Sequence, residues 1–264
     1  AAAPSTLARA PRRRAVSDAA LLEVRELSIS FGALTAVNDL SLCVARGRIT
    51  SVIGPNGAGK STLFNLVSGA LRPHHGSVAF AGADVTGWST PRLMQAGLAR
   101  SFQITNLFFD LSVYENLRLA AQILEPGLHA VLPIARSTRA RDRAEELLER
   151  FGLAAKATGL AGHLSHGEQR RLEIAVALAC QPRMLLLDEP TQGMSHGDTQ
   201  ATAEMIRALA GELTILLIEH DIDVVMNLSD HVIVMHQGAK LAEGTPREVR
   251  DNAAVQSAYL GGVH

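Results

Sequence analysis

The sequence predicts an α/β fold: a mainly parallel sheet with flanking helices and a helical stretch set into its middle. Three observations predict it. The short apolar runs Ile49–Ile53, 184–187 and Thr214–Ile218 have the length and composition of strands buried on both faces. Helical patterns alternate with them, as in a parallel sheet. Between about residues 90 and 162 the signals turn mostly helical instead.

The elements follow in order. Residues 22–29 alternate apolar and polar, which reads as a strand with one buried face, and 36–44 repeat the pattern. The strand at 49–53 runs into a glycine-rich turn, and a helix is expected from Lys60 to about Ser68. A further strand is expected at 77–80, between turns at Gly76 and Gly82. Pro91 suits the first turn of a helix. Ser112 and Glu115 have the spacing of a capping box. Residues 138–151 carry Arg139, Arg141 and Arg143 beside Glu145, Glu146 and Glu149, a solvated helix with charge pairs. Another helix is expected over 165–179, stopped by Gln181-Pro182. Residues 232–235 and 240–242 flank a turn at Gln237-Gly238. Thr245-Pro246-Arg247-Glu248 then opens a last helix that should run to about residue 260. No internal repeat is present.

Bulk properties narrow the function classes. The 264 residues are 47% hydrophobic and 19% charged, enough to bury a core. The net charge of −1 gives no electrostatic footprint for nucleic acid. No apolar run approaches the roughly 18 residues of a membrane-spanning helix. The two cysteines, Cys43 and Cys180, lie in apolar patterns and read as buried thiols in a reducing compartment. Residues 1–20 are rich in Ala and Pro and include Arg12-Arg13-Arg14 with no apolar segment after them. A disordered lead-in is expected there, not a secretory signal.

The chemistry begins at Gly54-Pro55-Asn56-Gly57-Ala58-Gly59-Lys60-Ser61-Thr62. This fits G-x-x-x-x-G-K followed by Ser or Thr, between a strand and a helix. Glycines let the backbone wrap so that amides point at phosphate oxygens, and the helix N-terminus adds a favourable dipole. Lys60 suits the β- and γ-phosphates, and Ser61 suits Mg²⁺. The apolar run 184–187 ends in Asp188-Glu189, at the strand end where open α/β sheets bind ligands. Asp188 would hold the metal directly or through water, and Glu189 would orient or deprotonate the attacking water. His220 follows the run 214–218 and falls on the same sheet edge, within reach of γ-phosphate and water. A histidine at a strand end also fits an ordinary surface position.

Leu164-Ser165-His166-Gly167-Glu168-Gln169-Arg170-Arg171 decides among nucleotide enzymes. It resembles the LSGGQ signature of ABC (ATP-binding cassette) proteins and stands shortly before Asp188-Glu189. Ser165 and Glu168 also have capping-box spacing, a reading compatible with the first. The resemblance covers about residues 21–262. It implies an α/β P-loop NTPase ABC ATPase core with an N-terminal antiparallel β subdomain and a helical subdomain, here about residues 90–168. ATP and Mg²⁺ are the implied cofactors. Phe31 resembles the aromatic residue that stacks on adenine, with Val37 packing beside it. Phe31 also fits a core position. Gln103 resembles the glutamine that links Mg²⁺ to the helical subdomain, and residues 191–196 resemble a loop that crosses a dimer interface. Ser165, Gly167 and Glu168 would meet the nucleotide of a second cassette. Glu168 departs from the usual Gln and adds a negative charge near ATP, and Ser195 stands where Asp or Asn is usual.

Ala99-Arg100-Ser101-Phe102-Gln103, Asn106-Leu107-Phe108, 112–117, Glu219-His220-Asp221 and Ala258-Tyr259-Leu260-Gly261-Gly262 are similar to ATP-binding subunits of branched-chain amino acid importers. Urea importers and lipopolysaccharide exporters share much of this pattern, and non-transport ABC ATPases share the core. The resemblance implies a peripheral ATPase on the cytoplasmic face of an inner membrane. Its partners would be a second cassette, identical or different, integral membrane permeases and, indirectly, a solute-binding protein. No nucleic acid is expected.

Overall fold

The computed structural model describes residues 20–101, 107–125 and 137–260. The expectations for residues 1–19, for Phe102, Gln103 and Asn106, and for Gly261-Gly262 lie outside the described residues.

The chain opens on two long antiparallel strands, β1 (Ala20–Phe31) and β2 (Leu34–Ala45). The predicted alternation of β1 slips at Glu26. Its φ of 50° sits in a register shift, so Leu22 and Val24 bury before the slip and Leu27 and Ile29 after it. β3 (Ile49–Ile53) then leads through the glycine turn into α1 (Lys60–Val67). β4 (His75–Phe80) and β5 (Ala83–Asp84) complete a four-stranded antiparallel sheet of order β2-β1-β4-β5.

Next come α2 (Thr90–Gln95), with Pro91 in its first turn, and β6 (Leu98–Arg100). β6 is a strand that the mostly helical signals of this stretch did not announce: it pairs in parallel with β7 (Met184–Asp188) as an edge strand. Three residues are too few to show a period of their own. Two packed helices follow, α3 (Val113–Ala121) and α4 (Thr138–Arg150). Ser112 caps α3 by accepting from the Glu115 amide at 3.1 Å, but Glu115 does not return the bond. Its carboxylate pairs with Arg118 at 2.7 Å instead.

α5 (His166–Leu178) precedes β7, and α6 (His196–Leu209) follows it. β8 (Thr214–Ile218), α7 (Ile222–Leu228), β9 (His231–His236) and β10 (Ala239–Gly244) complete a six-stranded sheet of order β10-β9-β3-β8-β7-β6. Its neighbours pair in parallel except β10 on β9. Helices occupy both faces. One core layer lies between this sheet, α1 and the antiparallel sheet, and another between its opposite face and α3 to α6.

The expected last helix is two. Thr245 and Glu248 form a complete capping box on α8 (Pro246–Arg250), which ends at Asp251. Asn252 then accepts from the Ala254 and Val255 amides at 2.9 and 3.2 Å and starts α9 (Ala253–Leu260) as a fresh helix.

The cysteines are not both buried. Cys43 is exposed on the outward side of β2, because its neighbours Leu42 and Val44 take the core side; Cys180 is half-buried. Among the described residues no helix is long and apolar enough to cross a membrane.

Candidate functional site

The sheet register sets the site. Val52 of β3 pairs with Ile218 of β8, and Ile218 pairs with Asp188 of β7, so the three stand in one row. The segments that leave this row therefore share one edge: the glycine turn, Glu219-His220 and Glu189.

Close packing dictates the glycine turn. A Cβ on Gly54 would lie 2.2 Å from the Met235 carbonyl oxygen, and one on Gly59 2.3 Å from that of Ala36. Gly59, at φ 97°, starts α1 without a side-chain cap, so the first amides of the helix have no side-chain acceptor. Asn56, Gly57 and Ser61 are exposed, Thr62 is half-buried and Ala58 is buried. Lys60 is only 8% exposed, and its ammonium donates to the Gly54 carbonyl at 2.7 Å and the Pro55 carbonyl at 3.2 Å. Burial pushes its pKa down, while the nearby carboxylates of Glu189 and Asp188 push it back up.

Asp188 is 1% exposed. Its Oδ2 accepts from Arg100 at 2.9 Å, and its Oδ1 is buried without a hydrogen-bond partner. Arg100 also donates to Asn65 Oδ1 at 2.7 Å and Ser68 Oγ at 3.0 Å, tying β6 to α1 and β7. In the sequence Arg100 lies within Ala99-Arg100-Ser101-Phe102-Gln103, a motif that assigns it no role of its own. The signal was its place on a strand, which only the β6–β7 pairing reveals. Glu189 has a φ of 47°, sparsely populated for a residue with a side chain, and its amide donates to the Ile218 carbonyl at 2.9 Å. His220 is exposed beside it.

The other predicted residues come from other elements. Phe31 closes the β1–β2 hairpin and is 49% exposed, which removes the core reading. Val37 is fully enclosed in the core below the hairpin. It pairs with Ile29 in the β1–β2 ladder, two residues from Phe31. Ser165 is exposed at the start of α5, where it and Glu168 complete a capping box. Arg170 of α5 donates to the Pro190 carbonyl at 3.0 Å and locks this helix to the end of β7.

Glu168 in the signature segment and Ser195 in the 191–196 loop, the two departures from the family pattern, both have local partners. The Glu168 carboxylate meets Lys156 at 2.6 Å and accepts from the Ser165 amide at 3.0 Å. The Lys156 contact, first, and the backbone bond hold its pKa down to about 2. The added charge is thus matched by a lysine in the helical region. Glu168→Gln should keep the helix cap and leave steady-state ATP turnover at or above the wild-type rate. A fall below about a tenth, a change of some 1.4 kcal/mol, would give the carboxylate a role of its own. Ser195 caps α6, its hydroxyl 2.7 Å from Asp198 Oδ2.

Comparison with known proteins gives the family. Residues 37–192 match the ABC transporter family, and residues 239–264 match a branched-chain amino acid ATP-binding cassette transporter family. The chain is 41% identical over 249 residues to the high-affinity branched-chain amino acid transport ATP-binding protein BraF of Pseudomonas aeruginosa, covering 91% of this chain and 98% of that one. It is 43% identical, over the same shares, to the corresponding protein LivG of Salmonella typhimurium. Among solved structures, the ADP conformation of an ATP-binding cassette of an ABC transporter superposes with a TM-score of 0.81 at 32% identity, covering 92% of this chain and 99% of that one. The chain therefore belongs to the ABC transporter family and is one of its ATP-hydrolysing subunits.

Proposed function

We propose that this subunit powers import of branched-chain or related hydrophobic amino acids, as one of two cassettes held against permeases at the cytoplasmic face of a membrane. Support for the cargo comes from identity above 40% along nearly the whole length of two amino acid transport ATPases. The single observation that carries the chemistry is the shared edge on which Lys60, Asp188, Glu189 and His220 emerge.

Phe31 stacks on adenine, and the amides of residues 56–62 wrap the phosphates. Lys60 exchanges its two carbonyl partners for β- and γ-phosphate oxygens. Asp188 and Ser61 fit Mg²⁺: Arg100 takes one Asp188 oxygen and orients the other, whose hydrogen-bonding capacity is unused. Mg²⁺, when bound, neutralises charge on the phosphates, with Gln103 as a further oxygen ligand. Glu189 orients the attacking water and accepts its proton, while His220 donates to the γ-phosphate. Ser165 and Gly167, on an exposed helix start, reach the γ-phosphate held by the partner cassette, and Glu168 shapes that start from within its cap. ATP then favours the closed pair, and hydrolysis releases it.

Residues of α2, β6, α3 and α5 enclose an apolar cavity of about 350 Å³, lined by Met94, Leu107, Leu119, Ile123 and Val176 among others. Met94 and Ile123 are partly exposed there, and Phe108 is 60% exposed nearby in sequence. This surface suits an amphipathic permease segment.

Uptake of labelled leucine in a host lacking the subunit tests the proposal. Uptake should fall to background, and the wild-type chain, but not Lys60→Ala, should restore it. Unchanged leucine uptake in the deletion host would exclude this cargo.

A further inference from the structure

Glu219 lies one residue before His220 and is 0% exposed. A carboxylate this deep costs free energy unless its oxygens are satisfied. Here they are satisfied by the two turns that carry the reacting groups. Oε1 accepts from the Thr191 amide at 3.0 Å and the Thr191 hydroxyl at 2.5 Å, and Oε2 accepts from the His220 amide at 3.1 Å. Glu219 only accepts in these bonds, as a carboxylate does. Thr191 is itself 6% exposed and stands two residues after Glu189. The bond from the Glu189 amide to the Ile218 carbonyl crosses between the same two segments.

We propose that Glu219 is a positioning residue that clamps the turn carrying Glu189 to the turn carrying His220. This rests on the reading of those two residues as the groups that act on water and γ-phosphate. The two turns leave different strands, β7 and β8; the turn at Glu189 is held locally by the Gln192 amide donating to the Glu189 carbonyl at 3.2 Å and by Arg170 donating to the Pro190 carbonyl at 3.0 Å. The clamp adds a restraint from the neighbouring strand. Through it, a shift of His220 on meeting a γ-phosphate moves Glu189 with it.

A glutamine cannot serve both turns. Its amide oxygen can accept both Thr191 bonds, but its NH₂ then faces the His220 N–H, donor against donor. Misplacement of a reacting group by about 1 Å can cost on the order of 100-fold in rate.

The test measures kcat and KM for ATP on the full-length subunit, in its membrane complex where one copurifies, for Glu219→Gln, Thr191→Val, Thr191→Ser and the Glu219→Gln/Thr191→Val double variant. Thr191→Ser keeps both bonds to Glu219 and should keep wild-type kcat. Glu219→Gln should lower kcat by about 10- to 100-fold, with KM for ATP within about twofold. Thr191→Val should lower kcat less, and the double variant should lose no more than Glu219→Gln alone, since both break one clamp. Wild-type kcat in Glu219→Gln, a loss confined to KM, or strictly additive losses in the double variant would overturn the proposal. If Glu219→Gln does not fold, the Thr191→Val and Thr191→Ser pair decides: equal kcat in the two overturns it. Glu189→Gln, run in parallel, separates the two readings. Full turnover there would remove the assigned base. A dead Glu189→Gln beside unaffected clamp variants would overturn only the clamp.

Discussion

Glu189→Gln is expected to lower ATP turnover by about 10²- to 10⁴-fold, the range general-base catalysis supplies. The substitution is nearly isosteric. It leaves the backbone at φ 47° and the hydrogen bond from the residue 189 amide to the Ile218 carbonyl in place, so the fold and the nucleotide site should persist. What is lost is a group that can take the proton of the attacking water. Steady-state ATPase assays should therefore show the loss in kcat, with KM little changed. Because ATP would bind and remain, two such chains should stay paired. Size-exclusion chromatography with Mg·ATP should show a dimer that the wild-type chain does not accumulate. Turnover near the wild-type rate would exclude Glu189 as the base.

Lys60→Ala acts on binding instead of chemistry. The Lys60 ammonium is held at the head of α1 by two carbonyls, under a burial cost that the acids beside it partly offset. Phosphate oxygens are stronger partners for it than neutral carbonyls. Two charge-assisted bonds of about 1.5–3 kcal/mol each would disappear with the side chain. A loss of about 100-fold or more in ATP affinity is expected, measured by titration with a fluorescent nucleotide. The two variants thus separate cleanly, one retaining ATP without turnover and the other failing to hold it. Unchanged affinity in Lys60→Ala would contradict the phosphate-loop assignment.

Much of the site is legible in the sequence because it is local. The glycine turn, the helix entry and the lysine lie within nine residues, and the spacing itself carries the geometry. The Ser165–Glu168 and Thr245–Glu248 boxes are equally local, and both form as their spacing predicts. The buried strands β3, β7 and β8 announce themselves as apolar runs. The capping box at Ser112 forms by half, since a nearby arginine competes for Glu115.

The sequence by itself determined the local elements: a glycine turn of phosphate-loop spacing ahead of a helix, a pair of acids at a strand end and a capped helix start. Only the tertiary structure decided how those parts are held. Strand register put Asp188, Ile218 and Val52 in one row and made β6 a strand, which brought Arg100 to Asp188. Packing across the fold enclosed Val37, turned Cys43 outward and gave Glu168 its lysine. Glu219 and Thr191, 28 positions apart, meet only because β7 and β8 are neighbours. Local motifs follow from the short reach of one turn of backbone, whereas contacts between distant residues depend on which strands pair and in what register.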